Sequence, residues 1–229
     1  MHKDQLKRKA ASAALSEVED GMVLGLGSGS TVSAFVELLS EHIKQHGMRV
    51  SVVPASLQIY YKALNFQLNV TTLDAVEELD LTVDGADEVD RSLNLVKGGG
   101  GALTREKILA CASKKYVIIV DESKLVERLC SKHPVPVEVL PFNLKFIFRK
   151  LRELGGRPEL RVAARKNGPV VTDNGNLIVD VWFEEMEDPE RLAREIKLLP
   201  GVVECGLFVG LADKVYVAYE DRVDVLRRG

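Results

Sequence analysis

Along the first half of the chain, short continuous apolar runs alternate with stretches of helical spacing. The runs at 22–26, 49–53, 79–83 and 116–120 predict strands, and 67–71 and 93–96 predict shorter extended segments. Leu6, Ala10, Ala13 and the apolar positions of 15–18 predict an opening amphipathic helix, which Gly21 stops. Val32, Phe35, Val36, Leu38, Leu39 and Ile43 predict a second helix, 56–64 a third, and a fourth begins near Thr104. Strands that are apolar throughout, rather than at alternate positions, are buried on both faces. Their alternation with helices predicts an α/β fold, a mostly parallel sheet covered by helices.

The pattern changes near His133-Pro134-Val135-Pro136, where two prolines in three residues make a stiff connector. Beyond it come a short strand at 137–139 and a helix at 142–154, stopped by Gly155-Gly156. Apolar runs at 170–172 and 177–179 flank Asp173-Asn174-Gly175-Asn176, which predicts a hairpin with a type I′ turn. A helix at 189–199 and strands at 202–208 and 214–219 close the chain. The middle block thus reads as a smaller α+β domain with an antiparallel sheet over 131–202. It is inserted into a first domain made of 1–130 and 203–229.

Composition narrows the classes. Of 229 residues, 46% are apolar and 28% charged, which excludes wholesale disorder. Lys plus Arg is 31 against 34 Asp plus Glu, a net charge of -3, so nucleic acid is not an expected partner. No run approaches the roughly 20 apolar residues that span a bilayer, and the N-terminal segment lacks a signal-peptide core. Cys111, Cys130 and Cys205 are isolated and odd in number. They form neither a metal-binding or redox pair nor a disulfide framework, and each reads as a small buried or partly buried hydrophobe. A cytoplasmic protein is expected.

Three loops at the C-terminal ends of predicted strands hold eight of the 18 glycines, and that edge of an open parallel sheet is where ligands bind. In Gly25-Leu26-Gly27-Ser28-Gly29-Ser30-Thr31, glycines can offer backbone N–H groups to an anion at a helix N-terminus; a plain turn with an N-cap is the bland alternative. The GxGxG spacing, with no acid closing the second strand, fits a monophosphate better than a dinucleotide. No Lys-Ser or Lys-Thr follows, so it is not a P-loop. Asp84-Gly85-Ala86-Asp87-Glu88 crowds three carboxylates that could serve acid/base chemistry, sugar hydroxyls or a metal, or simply a solvated turn. Lys97-Gly98-Gly99-Gly100-Gly101 precedes Thr104-Arg105-Glu106-Lys107. Four glycines suit close backbone approach to a ligand, Lys97 can face an oxyanion or phosphate, and Glu106 lies in a first helical turn, where the dipole favours the carboxylate. Acids are also common there for stability alone.

Taken together, GLGSGST at 25–31, DGADE at 84–88, KGGGGALTREKI at 97–108, DESK at 121–124, PVPVEV at 134–139, LGGRPELR at 154–161 and TDNGN at 172–176 resemble type A ribose-5-phosphate isomerases, in order and over almost the whole chain. One departure is Gly101, where many relatives carry alanine. The resemblance implies a Rossmann-like domain with a smaller lid or assembly domain, a homodimer or homotetramer, and neither metal nor organic cofactor. It implies interconversion of D-ribose 5-phosphate and D-ribulose 5-phosphate through a cis-enediol(ate), within the pentose phosphate pathway. Carried over by motif, Glu106 is the proton-transfer base, Asp84 assists ring opening and Lys97 stabilises the enediolate. Ser28, Gly29, Ser30, Thr31, Gly85, Ala86, Asp87, Gly98, Gly99, Gly100 and Lys124 complete the substrate-binding set. Lys124 and the first loop are assigned to the phosphate, Asp87 to the sugar hydroxyls.

Two alternatives follow from related chemistry. An amino-sugar phosphate isomerase/deaminase would favour a catalytic histidine, and none of the four histidines lies in these loops. A sugar-phosphate sensor would need a DNA-binding module, and the segment before the first strand is too short for one. His42 and His46, four apart, read as surface residues and His133 as structural. Trp182 reads as core or interface, and Arg149, Lys150 and Arg152 as a solvated helix face.

Overall fold

The computed structural model describes residues 2–228. The chain divides into two compact units. The first comprises the chain up to Ala86, Arg105–Leu125 and the segment from Leu211; the second comprises Asp87–Thr104 and Val126–Gly210.

The first unit is built on a seven-stranded sheet. Its strands are β1 (Val23–Leu26), β2 (Ser51–Pro54), β3 (Asn69–Val70), β4 (Leu81–Asp84), β7 (Tyr116–Asp121), β13 (Lys214–Ala218) and β14 (Val223–Arg227), in the spatial order β14-β13-β7-β4-β1-β2-β3. All pairings are parallel except β13 with β14. Strand β7 is buried along its whole length, as an apolar run in a covered parallel sheet must be. Helices α1 (His2–Ala14), α2 (Gly29–His46) and α3 (Leu57–Asn65) contribute to one core, where Ala10, Phe35, Leu39 and Ile59 meet Leu24, Leu26, Val83 and Ile119. Against the opposite face lies α4 (Leu103–Cys111), whose Leu109 packs with Val53 and Leu79. The chain leaves β1 toward β2 and returns through β4 on β1's other side. The switch point, and the crevice that goes with it, therefore falls between the ends of β1 and β4.

The second unit carries two antiparallel sheets. One has the order β11-β8-β10-β9, from β8 (Val135–Val139), β9 (Gly156–Leu160), β10 (Leu177–Phe183) and β11 (Val202–Cys205). Its core includes Ile147 and Leu151 of α5 (Leu144–Glu153) and Ile196 of α6 (Pro189–Lys197). The other has the order β12-β6-β5, from β5 (Glu88–Val89), β6 (Leu95–Val96) and β12 (Leu207–Phe208).

Several sequence expectations need correction. Segments 87–104, 126–130 and 203–210, assigned by pattern to the first domain, group with the second unit. Strands β5, β6 and β12 make a sheet of their own, and Val96, Leu129 and Leu207 sit in the second core. The connector is shorter than expected, because Val135 and Pro136 belong to β8. The run at 202–208 is two strands in two different sheets. Strand β9 was hidden by its Arg, Pro and Glu; as an edge strand it tolerates proline. Strand β14, hidden by Asp224, is an edge of the first unit's sheet. The Asn-Gly turn is not type I′. Gly175 takes positive φ (80°) while Asn174 does not, and Thr172 N–H donates to Asn176 O (2.9 Å) across a longer loop. Cys111 is exposed, while Cys130 and Cys205 are buried.

Candidate active site

The acid at the end of β4 is placed by what its neighbours lack. A Cβ on Gly25 would stand 1.9 Å from Thr82 Oγ1, and one on Gly27 would stand 1.9 Å from Asp84 Oδ1. Glycines at both positions let β1 lie against the side chains of β4. Asp84 is completely buried. Its Oδ1 accepts from Ser28 N–H (3.2 Å) and Gly85 N–H (2.7 Å), and its Oδ2 from the Tyr116 hydroxyl (3.2 Å).

Glu106 lies in the first turn of α4 and is 3% exposed. Its Oε1 accepts from Ser28 Oγ. Ser28 thus joins the two acids, giving its N–H to Asp84 and its hydroxyl to Glu106. It occupies the N-cap position of α2 without making a side-chain cap, because its hydroxyl is used across the crevice. The sequence left Ser28 as a ligand donor or a cap; here its hydroxyl is directed to Glu106.

The first loop is less open to an anion than its glycines suggest. Gly27 N–H donates to Val83 O (3.0 Å), Ser28 N–H to Asp84, and Gly29 N–H to Gln58 Oε1 of α3 (3.1 Å). Three successive amides are directed at protein acceptors, while Ser30 is exposed and Thr31 half-buried. Thr31 borders Gly85: a Cβ there would come 4.0 Å from the Thr31 Cβ. Lys124 closes a short 3-10 turn, Glu122–Lys124, at the C-terminal end of β7, next to β4. Asp121 caps that turn through Ser123 N–H (3.0 Å).

Within the second unit, Asp87 and the lysine loop are built together. Asp87 Oδ2 accepts from Gly99 N–H (2.7 Å), and a Cβ on Gly99 would lie 2.7 Å from Asp87 Oδ1. Arg161 Nη1 donates to Gly98 O (2.8 Å) and Gly99 O (3.1 Å), while its Nε donates to Asp180 (2.8 Å). Gly98 and Gly101 adopt positive φ (101° and 81°). The glycine at 101 therefore suits a left-handed backbone. Gly99 and Gly100 are exposed. Lys97 is 3% exposed, with Nζ 5.5 Å from the centre of the Phe208 ring.

Sequence reasoning missed Gln58, Tyr116, Arg161 and Phe208 as site-building residues. Tyr116 carried a signal: it is the one hydroxyl in a strand otherwise apolar up to Asp121. Burial pushes its phenol well above the usual tyrosine value, and the charges of Asp84 and Glu106 add to the shift. A cavity of about 510 Å³ lined by Val53, Tyr60, Val70, Arg105 and Ile108 contains none of the predicted residues. Among the described residues, no group of three or more His, Cys, Asp or Glu side chains could hold a metal. His42 and His46 stack with ring centres 4.3 Å apart at the end of α2.

The chain is similar to known proteins over most of its length. Residues 51–222 match the family model of ribose 5-phosphate isomerase A (phosphoriboisomerase A). The ribose-5-phosphate isomerase A of Archaeoglobus fulgidus is 53% identical over 205 residues, 88% of this chain and 89% of that protein. That of Pyrococcus horikoshii is 44% identical over 100% of both chains. Among solved structures, the Methanocaldococcus jannaschii enzyme superposes with a TM-score of 0.94 at 43% identity, covering 97% of this chain and 98% of that one. A D-ribose-5-phosphate isomerase in complex with phospho-erythronic acid superposes with a TM-score of 0.97 at 43% identity over 100% of both chains.

Proposed function

The chain belongs to the ribose 5-phosphate isomerase A family and interconverts D-ribose 5-phosphate and D-ribulose 5-phosphate in the pentose phosphate pathway; we propose that it does so by carrying one proton between C2 and C1 on the carboxylate of Glu106. The observation that supports this most directly is the placement of Glu106. It is a buried carboxylate in a first helical turn, oriented by Ser28 and sharing that residue with Asp84.

The reaction runs in two stages. In the cyclic sugar, Asp84 accepts the proton of the anomeric hydroxyl. C1=O1 forms as the C1–O4 bond breaks, and O4 leaves as a hydroxyl after taking a proton from a water, which recovers one from Asp84. Glu106 then removes the C2 proton. The electron pair flows into C1=C2, and the O1 oxyanion of the cis-enediolate is stabilised by Lys97 and the N–H groups of Gly98, Gly99 and Gly100. The O2 proton passes to O1, and return of the same carbon-bound proton from Glu106 to C1, with C2=O2 forming, completes the ketose. A single base suffices because removal and return occur on one face. Phospho-erythronic acid, the ligand of the similar structure, carries a planar carboxylate where the enediolate carries its two oxygens. Such mimicry is what an intermediate-stabilising site favours.

Ser28, Gly85, Ala86 and Asp87 position the sugar, with Asp87 taking hydroxyls while it braces Gly99. Ser30, Thr31 and Lys124 take the phosphate, with Gly29 at the head of their helix. Binding energy from that remote group is spent on holding the reacting carbons. The enzyme works as a homodimer or homotetramer in the cytoplasm, a compartment that suits its free cysteines. It needs no metal, so turnover should persist in a chelator; chelator-sensitive turnover would overturn that part of the mechanism.

The decisive test is Glu106→Gln, which keeps shape and removes the base. A fall in kcat of roughly 10²–10⁴ is expected, with KM changed little. A near-normal kcat would refute the assignment.

A further inference from the structure

We propose that Tyr116 is a positioning residue for this reaction: its hydroxyl orients Asp84 and holds it as a carboxylate, extending ring opening to lower pH. The inference rests on the role assigned to Asp84 above and deepens it.

The placement follows from register. Tyr116 pairs with Thr82, two residues before Asp84 on the neighbouring parallel strand. Residues two apart share a face, and side chains on strands lean along the strand direction. A tyrosine at 116 can therefore span the two-residue step that a shorter side chain could not. Its hydroxyl reaches Asp84 Oδ2 at 3.2 Å, and the residue is 1% exposed.

Asp84 faces an electrostatic problem that Tyr116 helps to solve. A completely buried carboxyl is driven toward its neutral form, and a neutral acid cannot accept the anomeric proton. Hydrogen bonds to the charged form oppose that drive. Two come from backbone amides, of Ser28 and Gly85, and both go to Oδ1. Tyr116 supplies one to Oδ2, so the carboxyl plane is held from both ends. The ionisable groups that bear on the Tyr116 phenol are Asp84, Glu106 and Cys111, while Asp213 accepts the Tyr116 backbone N–H (2.8 Å). With burial and two carboxylates raising its own titration, the phenol stays protonated throughout the working range. It is a constant donor, and its influence passes through Asp84.

The experiment compares Tyr116→Phe, Asp84→Asn and the double variant, reading kcat/KM for ribose 5-phosphate against pH. Tyr116→Phe should lower kcat/KM about threefold to thirtyfold at neutral pH and move its acid limb upward by about half to one pH unit. In the Asp84→Asn background the same substitution should add no further loss. An unshifted acid limb in Tyr116→Phe, or an equal loss in both backgrounds, would overturn the proposal. Should Tyr116→Phe fold poorly, Tyr116→3-fluorotyrosine keeps the volume and strengthens the donor. It should shift the acid limb downward, and an upward or absent shift would count against the proposal. Full activity of Asp84→Asn would remove the underlying role and this inference with it. Loss in Asp84→Asn beside a normal Tyr116→Phe profile would remove the inference alone.

Discussion

Two pairs of buried acids, one in each unit, look alike by exposure: Asp84 and Glu106 are 0% and 3% exposed, and Glu88 and Glu138 are both 0%. Their surroundings differ. Glu138 Oε1 accepts from Thr172 Oγ1 (2.8 Å), Asn174 Nδ2 (3.0 Å) and Asn176 Nδ2 (2.8 Å), and its Oε2 from Thr104 Oγ1. Glu88 accepts backbone N–H groups from Cys130 (2.6 Å), Lys132 and His133 (2.8 Å). Each of these acids nails down a loop that closes over it. Asp84 and Glu106 lie instead at the switch point of the parallel sheet, joined by Ser28, where the chain diverges rather than closes. Burial alone does not separate the two pairs; the direction in which the chain leaves them does.

The largest effects that would break this contrast lie in opposite observables. Glu106→Gln should cost two to four orders of magnitude in kcat and leave the melting curve near that of the parent. Glu138→Gln should do the reverse. It turns an amide NH₂ toward donors that need an acceptor, destabilising the fold by about 2–4 kcal/mol. Activity per folded molecule should hold. Urea melts paired with single-temperature kinetics would separate the two. A Glu138→Gln enzyme of full stability would mean the network is not structural.

The contrast also explains what could be read from the chain. Continuous apolar runs made β1, β2, β4 and β7 legible, and with them the edge at which Asp84 sits. The motif Asp84-Gly85-Ala86-Asp87-Glu88 was legible only as a cluster. The structure gives its three acids three tasks, as a buried rim acid, a brace on Gly99 and a clamp on 130–133. Nothing local distinguishes them, because each task is set by residues far away in sequence. Glu138 in Val135–Val139 was opaque for the same reason: its donors come from 104 and 172–176. Tyr116 was overlooked because a tyrosine opening an apolar strand looks like core until its hydroxyl's partner is known.

A smaller effect sharpens the rim itself. Gly27→Ala places a methyl within 2.0 Å of Asp84 Oδ1 and Cγ, so the carboxylate must turn. Because sub-ångström placement governs proton transfer, kcat/KM should fall about tenfold to a hundredfold, with a stability cost of about 1–3 kcal/mol. A loss in melting temperature without a kinetic change would show that Asp84 need not hold its observed orientation.

The smallest expected effect concerns an acid held by cations instead of neutral donors. Glu17 accepts from Lys115, Lys214 and Tyr216. Burial pushes its carboxyl up, but hydrogen bonds from Lys115, Lys214 and Tyr216 outweigh this and bring it from 4.5 down to about 2. A group whose folded value is depressed stabilises the fold fully above its unfolded value. That contribution declines as pH falls from about 4.5 and is gone below about 2. The parent should therefore lose melting temperature more steeply than Glu17→Gln between these limits, and the two curves should converge in acid. Other acids titrate there too, among them Glu37 and Asp80, each held down mainly by a lysine, but they cancel in the difference between the two proteins. Lys115 is 40% exposed, so solvent screening keeps the difference modest. Parallel curves would show that the cation-held acid contributes no more to folding than its glutamine replacement.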